Sequence, residues 1–175
     1  MADNIGDRLS KIDTGLDERE SSLFGSYPVR APVWWGRRGD EFNHPDLPGV
    51  SGRFVVIIHR KSFRRFEKIL AKILKAPKEL RRPLDDMNSL LWELCDGHRT
   101  FEEIVSLMDA TFDEKVAPAR ERTEAALRHL GERGFILFSR SEFEKSWPTG
   151  PGIDPDGEIF PKEGIDTEPI KGDVV

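Results

Sequence analysis

Hydrophobic and polar positions follow three regimes along the chain. Residues 1 to about 50 hold no sustained period, because Gly, Pro, Asp and Arg interrupt the apolar residues everywhere except a short helical pattern around Asp17–Leu23. Arg53–Arg60 (RFVVIIHR) is a β-branched apolar run bounded by Gly52 and charge, which predicts a buried strand. The period then becomes helical: Phe63, Phe66, Ile69, Leu70, Ile73 and Leu74 share one face of Ser62–Leu74. Lys61, Arg64, Arg65, Lys68, Lys72 and Lys75 occupy the others, giving a basic amphipathic helix. Pro77 ends it. Lys78–Leu84 reads as an extended edge strand, since prolines at both flanks forbid a central ladder position.

Three helices are expected next, in close order. The first opens at Leu84-Asp85-Asp86-Met87-Asn88, buries Met87, Leu90, Leu91 and Leu94, and stops at Asp96-Gly97, a glycine cap signal. The second opens at Thr100 with Glu103 three residues on, a capping box, and buries Phe101, Ile104, Val105, Leu107 and Met108 before Phe112-Asp113 close it. The third runs from Glu114 or Val116 to Arg133 along Ala119, Thr123, Ala126, Leu127 and Leu130, with Gly134 as its stop. Phe135–Phe138 reads as a last short strand, in the place of a wing. The fold class is therefore α+β: a winged helix-turn-helix-like domain at 51–140 with an extra basic helix. A partly disordered arm (1–50) precedes it, and a mostly disordered acidic Pro/Gly-rich tail (141–175) follows it. Within the arm, Trp34-Trp35 is too apolar to leave in water and is expected to cover the domain surface or to anchor a partner.

Charge and cysteine usage narrow the function. A net charge of −5 gives no global field favouring nucleic acid or anionic membrane, although a local patch remains open to either. Cys95 is the single cysteine, so no intramolecular disulfide framework exists, and its apolar surroundings read as a buried small hydrophobe. No transmembrane-length apolar run and no signal-peptide pattern occur, which leads to the expectation of a cytoplasmic protein. His44, His59, His98 and His129 lack metal-ligand spacing, no nucleotide-binding glycine motif is present, and Asp154-Pro155-Asp156-Gly157 lacks the remaining ligands of a calcium loop. These observations favour a binding module without a cofactor over an enzyme.

The stretch Leu84-Asp85-Asp86-Met87-Asn88-Ser89-Leu90-Leu91-Trp92-Glu93-Leu94-Cys95-Asp96-Gly97-His98-Arg99-Thr100-Phe101-Glu102-Glu103-Ile104 resembles the signature of the PqqD family, named for pyrroloquinoline quinone biosynthesis. The signature is a strand ending in Leu-Asp, a helix with a Trp-x-Leu-x-Asp-Gly end, and a Thr-initiated helix; the likeness extends through Glu121-Arg122 and Leu130 to Phe135-Ile136. The family departs from this chain in lacking a helix such as Ser62–Leu74 before the edge strand. The resemblance implies a peptide-binding chaperone that takes up a leader peptide as an added strand and serves a peptide-modifying enzyme. By position, it implies contacts from Glu79, Leu80, Arg81 and Arg82 on the strand and from Arg120, Thr123, Glu124, Leu127 and Arg128 on the third helix. Edge-strand addition is sound physics, because unpaired backbone groups accept an extended peptide. The alternative is an edge protected by Lys78, Arg81 and Arg82, whose charges discourage pairing.

Other readings stay open. A protein-protein adaptor or regulator is the main alternative. DNA binding is disfavoured because the third helix mixes Arg120, Arg122, Arg128 and Arg133 with Glu114, Glu121, Glu124 and Glu132. The Lys61–Lys75 helix either closes the core with its apolar face or meets a membrane surface or an acidic partner.

Overall fold

Val55–Ile58 are buried because the strand they form is covered on both faces. The computed structural model describes residues 22–60, 79–155, 157, 159 and 162–173. The basic helix expected at Ser62–Leu74 lies outside the described residues.

Among the described residues, the chain forms strands β1 (Tyr27–Arg30), β2 (Trp34–Glu41), β3 (Arg53–Arg60) and β4 (Glu79–Pro83). Helices α1 (Asp86–Leu94), α2 (Phe101–Phe112) and α3 (Ala119–Glu132) follow, then β5 (Ile136–Ser139). A 3-10 turn at Asp113–Lys115 separates α2 from α3. One antiparallel sheet has the order β2-β3-β4 and a second pairs β1 with β5. The fold is α+β, as the hydrophobic pattern predicts.

Alternation along β2 and β3 divides the side chains between two layers. Trp35, Val55 and Ile57 join Leu90, Leu91, Trp92 and Leu94 of α1, with Phe101, Ile104, Leu127 and Leu130 behind them, in the main core. Trp35 and Trp92 meet edge to face, 6.0 Å between centroids. Full burial of each such side chain contributes about 1.5–3 kcal/mol. Trp34, Val56 and Ile58 point to the opposite face, where Ile159 and Ile165 cover them. The adjacent tryptophans are therefore integral to a strand, one on each side of it, rather than a cover laid over the domain.

The N-caps of α1 and α2 fall where the sequence places them. The Asp85 side chain accepts from Asn88 N, and Thr100 with Glu103 forms a complete capping box. Gly97 adopts φ +83°, and a Cβ there would collide with Phe143 and crowd Val29. The Asp96-Gly97 turn is thus pressed between β1 and the segment after β5, which explains the glycine. The Asp96 carboxylate accepts from the backbone of His98 and Arg99 and pairs with the Arg99 side chain.

Segments on both sides of 53–139 take part in the packing. β1 pairs with β5, and β2 pairs with β3 through Trp34↔Ile58 to Glu41↔Arg53, with a bulge between Arg38 and Glu41. In the C-terminal segment, Asp166 exchanges two backbone hydrogen bonds with Arg37, both 2.7 Å, and Gly152 N donates to Trp35 O. Too few apolar side chains occur in this segment to order it alone; partners elsewhere in the chain supply the rest.

Candidate functional site

Two strand edges bound the three-stranded sheet, and they differ. On β2, the outward backbone groups of Trp35 and Arg37 are taken by Gly152 and Asp166. On β4, Leu84 N donates to Val55 O, so counting back by two along an antiparallel ladder turns Arg82 and Leu80 toward β3. The backbone N–H and C=O of Glu79 and Arg81 therefore face outward. Among the described residues no strand pairs with that side of β4.

The β4 side chains are placed by the same alternation. Arg82 points to the helical layer, where its guanidinium lies 5.8 Å from the Phe135 ring centre and its Nε donates to His59 Nε2 at 3.2 Å. His59 in turn meets Phe135 edge to face. Leu80, opposite His59, shares this face and is half-buried. Arg81 and Glu79 take the other face; Arg81 is exposed and Glu79 pairs with Lys162 at 2.8 Å.

The α3 residues do not form one surface. Leu127 is fully buried in the core and Thr123 is 1% exposed, its hydroxyl without a hydrogen-bond partner. Arg120 lies over the Phe101 ring, and Arg128 pairs with Glu124 and reaches Ser22, so Arg120, Glu124 and Arg128 occupy the α2 flank of the helix. About 200° of helical rotation away, Arg122 and Ala126 line a pocket of about 230 Å³ with Met87, Leu91 and Thr123, at the start of α1 directly after β4. The sequence reading did not place Arg122 and Ala126 at a site, because helical spacing identifies a buried stripe but not which of its two borders lines a pocket with the neighbouring helix.

The charged cluster at the centre of the fold was also missed. Arg37, 1% exposed, donates from Nε to Glu93 (2.7 Å) and from both terminal nitrogens to the Asp173 carboxylate (2.9 and 2.8 Å). Burial would lower the Arg37 pKa, but the hydrogen bonds to Asp173 and Glu93 outweigh it and hold the group above its ordinary value. Glu93 also accepts from the Ser51 hydroxyl and N–H. Arg30, equally buried, donates to the carbonyls of Trp92, Glu93 and Thr149, and desolvation lowers its pKa. The two guanidiniums approach the Trp35 ring to 5.3 and 4.9 Å.

Each histidine is engaged separately: His98 with Glu142, His44 with the Pro45 carbonyl, His129 with Arg133, and His59 as described. Cys95 is buried, and desolvation pushes its thiol pKa well up. Among the described residues no helix is long and apolar enough to cross a membrane.

Residues 83–136 match the family model PqqD, coenzyme PQQ synthesis protein D. This stretch is PqqD-like. No curated protein and no solved structure matches the chain significantly. The PqqD-like segment starts at the last residue of β4, contains α1 to α3 with the Asp96-Gly97 turn and the small pocket, and ends at the first residue of β5. β1 to β3 and the C-terminal segment that caps β2 lie outside it.

Proposed function

We propose that the chain is a non-catalytic peptide-binding module of winged-helix type, which holds an extended polypeptide along the outer edge of β4 and presents it to a modifying enzyme. The observation that carries this reading is the asymmetry of the sheet: the β2 edge is closed by the chain's own C-terminal segment, while Glu79 and Arg81 turn backbone groups outward from β4 that no strand among the described residues pairs with. A peptide added there gains main-chain hydrogen bonds, and alternate side chains reach Leu80 and Arg82 on one face. Beyond Pro83 the same peptide passes the pocket between α1 and α3, where Thr123, Arg122 and Ala126 contact it. The match to the PqqD family supports the reading. Leu127 contributes by packing beneath the pocket, and Arg120, Glu124 and Arg128 border the opposite flank of the helix.

The test is Arg81→Pro. The substitution removes an outward N–H without breaking a bond to β3, a position that tolerates proline. The full chain probed against an array of extended peptides is expected to capture a subset, and Arg81→Pro to capture none at an unchanged melting temperature. Undiminished capture by Arg81→Pro would remove the β4 edge from the mechanism.

A second reading, an adaptor for a folded protein, is favoured by Leu137 and Phe138 of β5, which are 42% and 37% exposed. Under that reading Leu137→Asp, not Arg81→Pro, abolishes partner binding.

A further inference from the structure

We propose that the back of the three-stranded sheet is a second groove, built to hold an extended acidic segment, and that the C-terminal segment fills it as a ligand in cis that an acidic partner segment displaces. The proposal is independent of the β4 reading.

The segment docks in the way a bound peptide does. It adds to the β2 edge through the paired bonds of Arg37 and Asp166, which recognise backbone regardless of sequence. Gly36 makes this approach possible: a Cβ there would stand 2.5 Å from Ile165 Cγ2 and 2.8 Å from Asp166 O, with Thr167 next. Every close neighbour of that missing methyl belongs to the docked segment. Trp34, Val56 and Ile58 form the apolar wall that receives Ile165. Past the β2 edge the segment reaches the helical face, where Arg37, on the same side of β2 as Trp35, clamps the Asp173 carboxylate through two parallel bonds, a geometry specific for carboxylates. Arg53 pairs with Asp166 at 2.7 Å, while Glu79 meets Lys162 at the other end, so charge fixes the direction of the segment. From Thr149 to Val175 the sequence carries seven acidic and two basic residues. Receptor and ligand are therefore complementary in charge.

Exchange follows from how the segment is held. Few apolar side chains anchor it, and units with few buried apolar contacts open at lower free energy than the core. The receptor survives opening, because Arg37 keeps Glu93, which Ser51 holds in place. Once opened, the groove offers an unpaired strand edge and an apolar face. A tethered segment acts at an effective concentration on the order of mM, so a peptide of micromolar intrinsic affinity binds the intact chain about a hundredfold or more weakly.

The probe is a fluorescent synthetic peptide with the sequence of residues 159–173, titrated into the full-length chain by anisotropy, with hydrogen exchange reporting on the Asp166 amide. Asp173→Asn weakens the cis ligand and leaves the receptor intact, so this variant is expected to bind the probe at least tenfold more tightly than the original chain. Gly36→Ala blocks the groove itself and is expected to release the segment yet bind no probe. Should Asp173→Asn fail to fold, Ile165→Ala loosens the segment from its apolar side and serves the same purpose. An Asp173→Asn or Ile165→Ala variant whose Asp166 amide exchanges rapidly without any gain in probe binding overturns the proposal. So does an Asp166 amide as protected as the core and unmoved by either change, since the segment is then a fixed part of the fold.

Discussion

Replacing Arg37 with Met removes a charge that joins β2, α1 and the C-terminal segment while keeping much of the apolar volume. Its guanidinium is 1% exposed and makes three short bonds to carboxylates that are themselves fully buried. Loss of one partner of a buried pair costs about 3–5 kcal/mol, because an uncompensated charge stays behind. Asp173 belongs to a segment that few apolar side chains anchor and escapes to water if that segment lifts, whereas Glu93 is fixed on α1 by Ser51. The penalty therefore concentrates on Glu93, toward the lower end, at about 3 kcal/mol. For a chain of this size that lowers Tm by roughly 6–12 °C. Urea titration of Arg37→Met against the original chain measures it. Arg37→Met combined with Glu93→Gln is expected to recover part of the loss, since the stranded charge is then gone. A destabilisation below about 1 kcal/mol for Arg37→Met would mean that the carboxylates are hydrated and would refute the reasoning.

Three further outcomes are expected. Thr123→Val removes a buried hydroxyl that has no partner, and as such groups cost about 1–3 kcal/mol, the unfolding free energy should rise by about 1 kcal/mol, read from chemical denaturation. The Glu168 N–H and the Arg53 side chain hold the Asp166 carboxyl below its ordinary pKa. Its contribution is thus present above the unfolded pKa of about 3.9 and lost as pH falls through the folded value, so the hydrogen-exchange protection factors of residues 165–168 should be constant from neutral pH to about 5 and fall below about 4, ahead of the core. Cys95 should resist iodoacetamide near pH 8 in the folded protein and react fully in denaturant, because burial raises its thiol pKa; rapid labelling of the native chain would place it at the surface.

What was legible in the sequence was local. Asp85 and Thr100 with Glu103 announce their helix starts through bonds to residues within four positions, and Gly97 announces the end of α1 through its positive φ, so α1 and α2 fall where expected. The third helix begins at Ala119 rather than Glu114 or Val116, because Asp113–Lys115 closes into a 3-10 turn and Pro118 takes the cap position. β1 and β2 were missed because their stabilisation is remote. Arg30 and Arg37 interrupt the apolar residues of this stretch, yet their partners sit at Trp92, Glu93, Thr149 and Asp173, and Pro28, Pro32, Gly36 and Gly39 break the alternation that would mark strands. A buried ion pair between distant residues leaves no period in either segment. For the candidate site, the edge character of β4 was readable from its flanking prolines, whereas the pocket that Arg122 and Ala126 line with Met87 and Leu91 of α1 was not.

The two edges of the sheet manage the same hazard by different means. An exposed edge invites pairing with any extended chain, and covering or charging it is the usual remedy. β2 is covered. β4 is five residues long, ends in Pro83 and carries three charges, but these are not equivalent. Lys162 neutralises Glu79, and Arg82 turns onto Phe135 and His59, which leaves Arg81 as the charge standing at the outward-facing backbone position. A cation with no ion-pair partner among the described residues repels basic strands and is relieved by a carboxylate opposite it, since cross-strand pairs of opposite charge contribute about 0.2–1 kcal/mol and like charges oppose pairing. Under the β4 reading the edge is therefore selective rather than closed: neutral or basic segments gain only backbone bonds, and a segment with an acidic side chain facing Arg81 gains both.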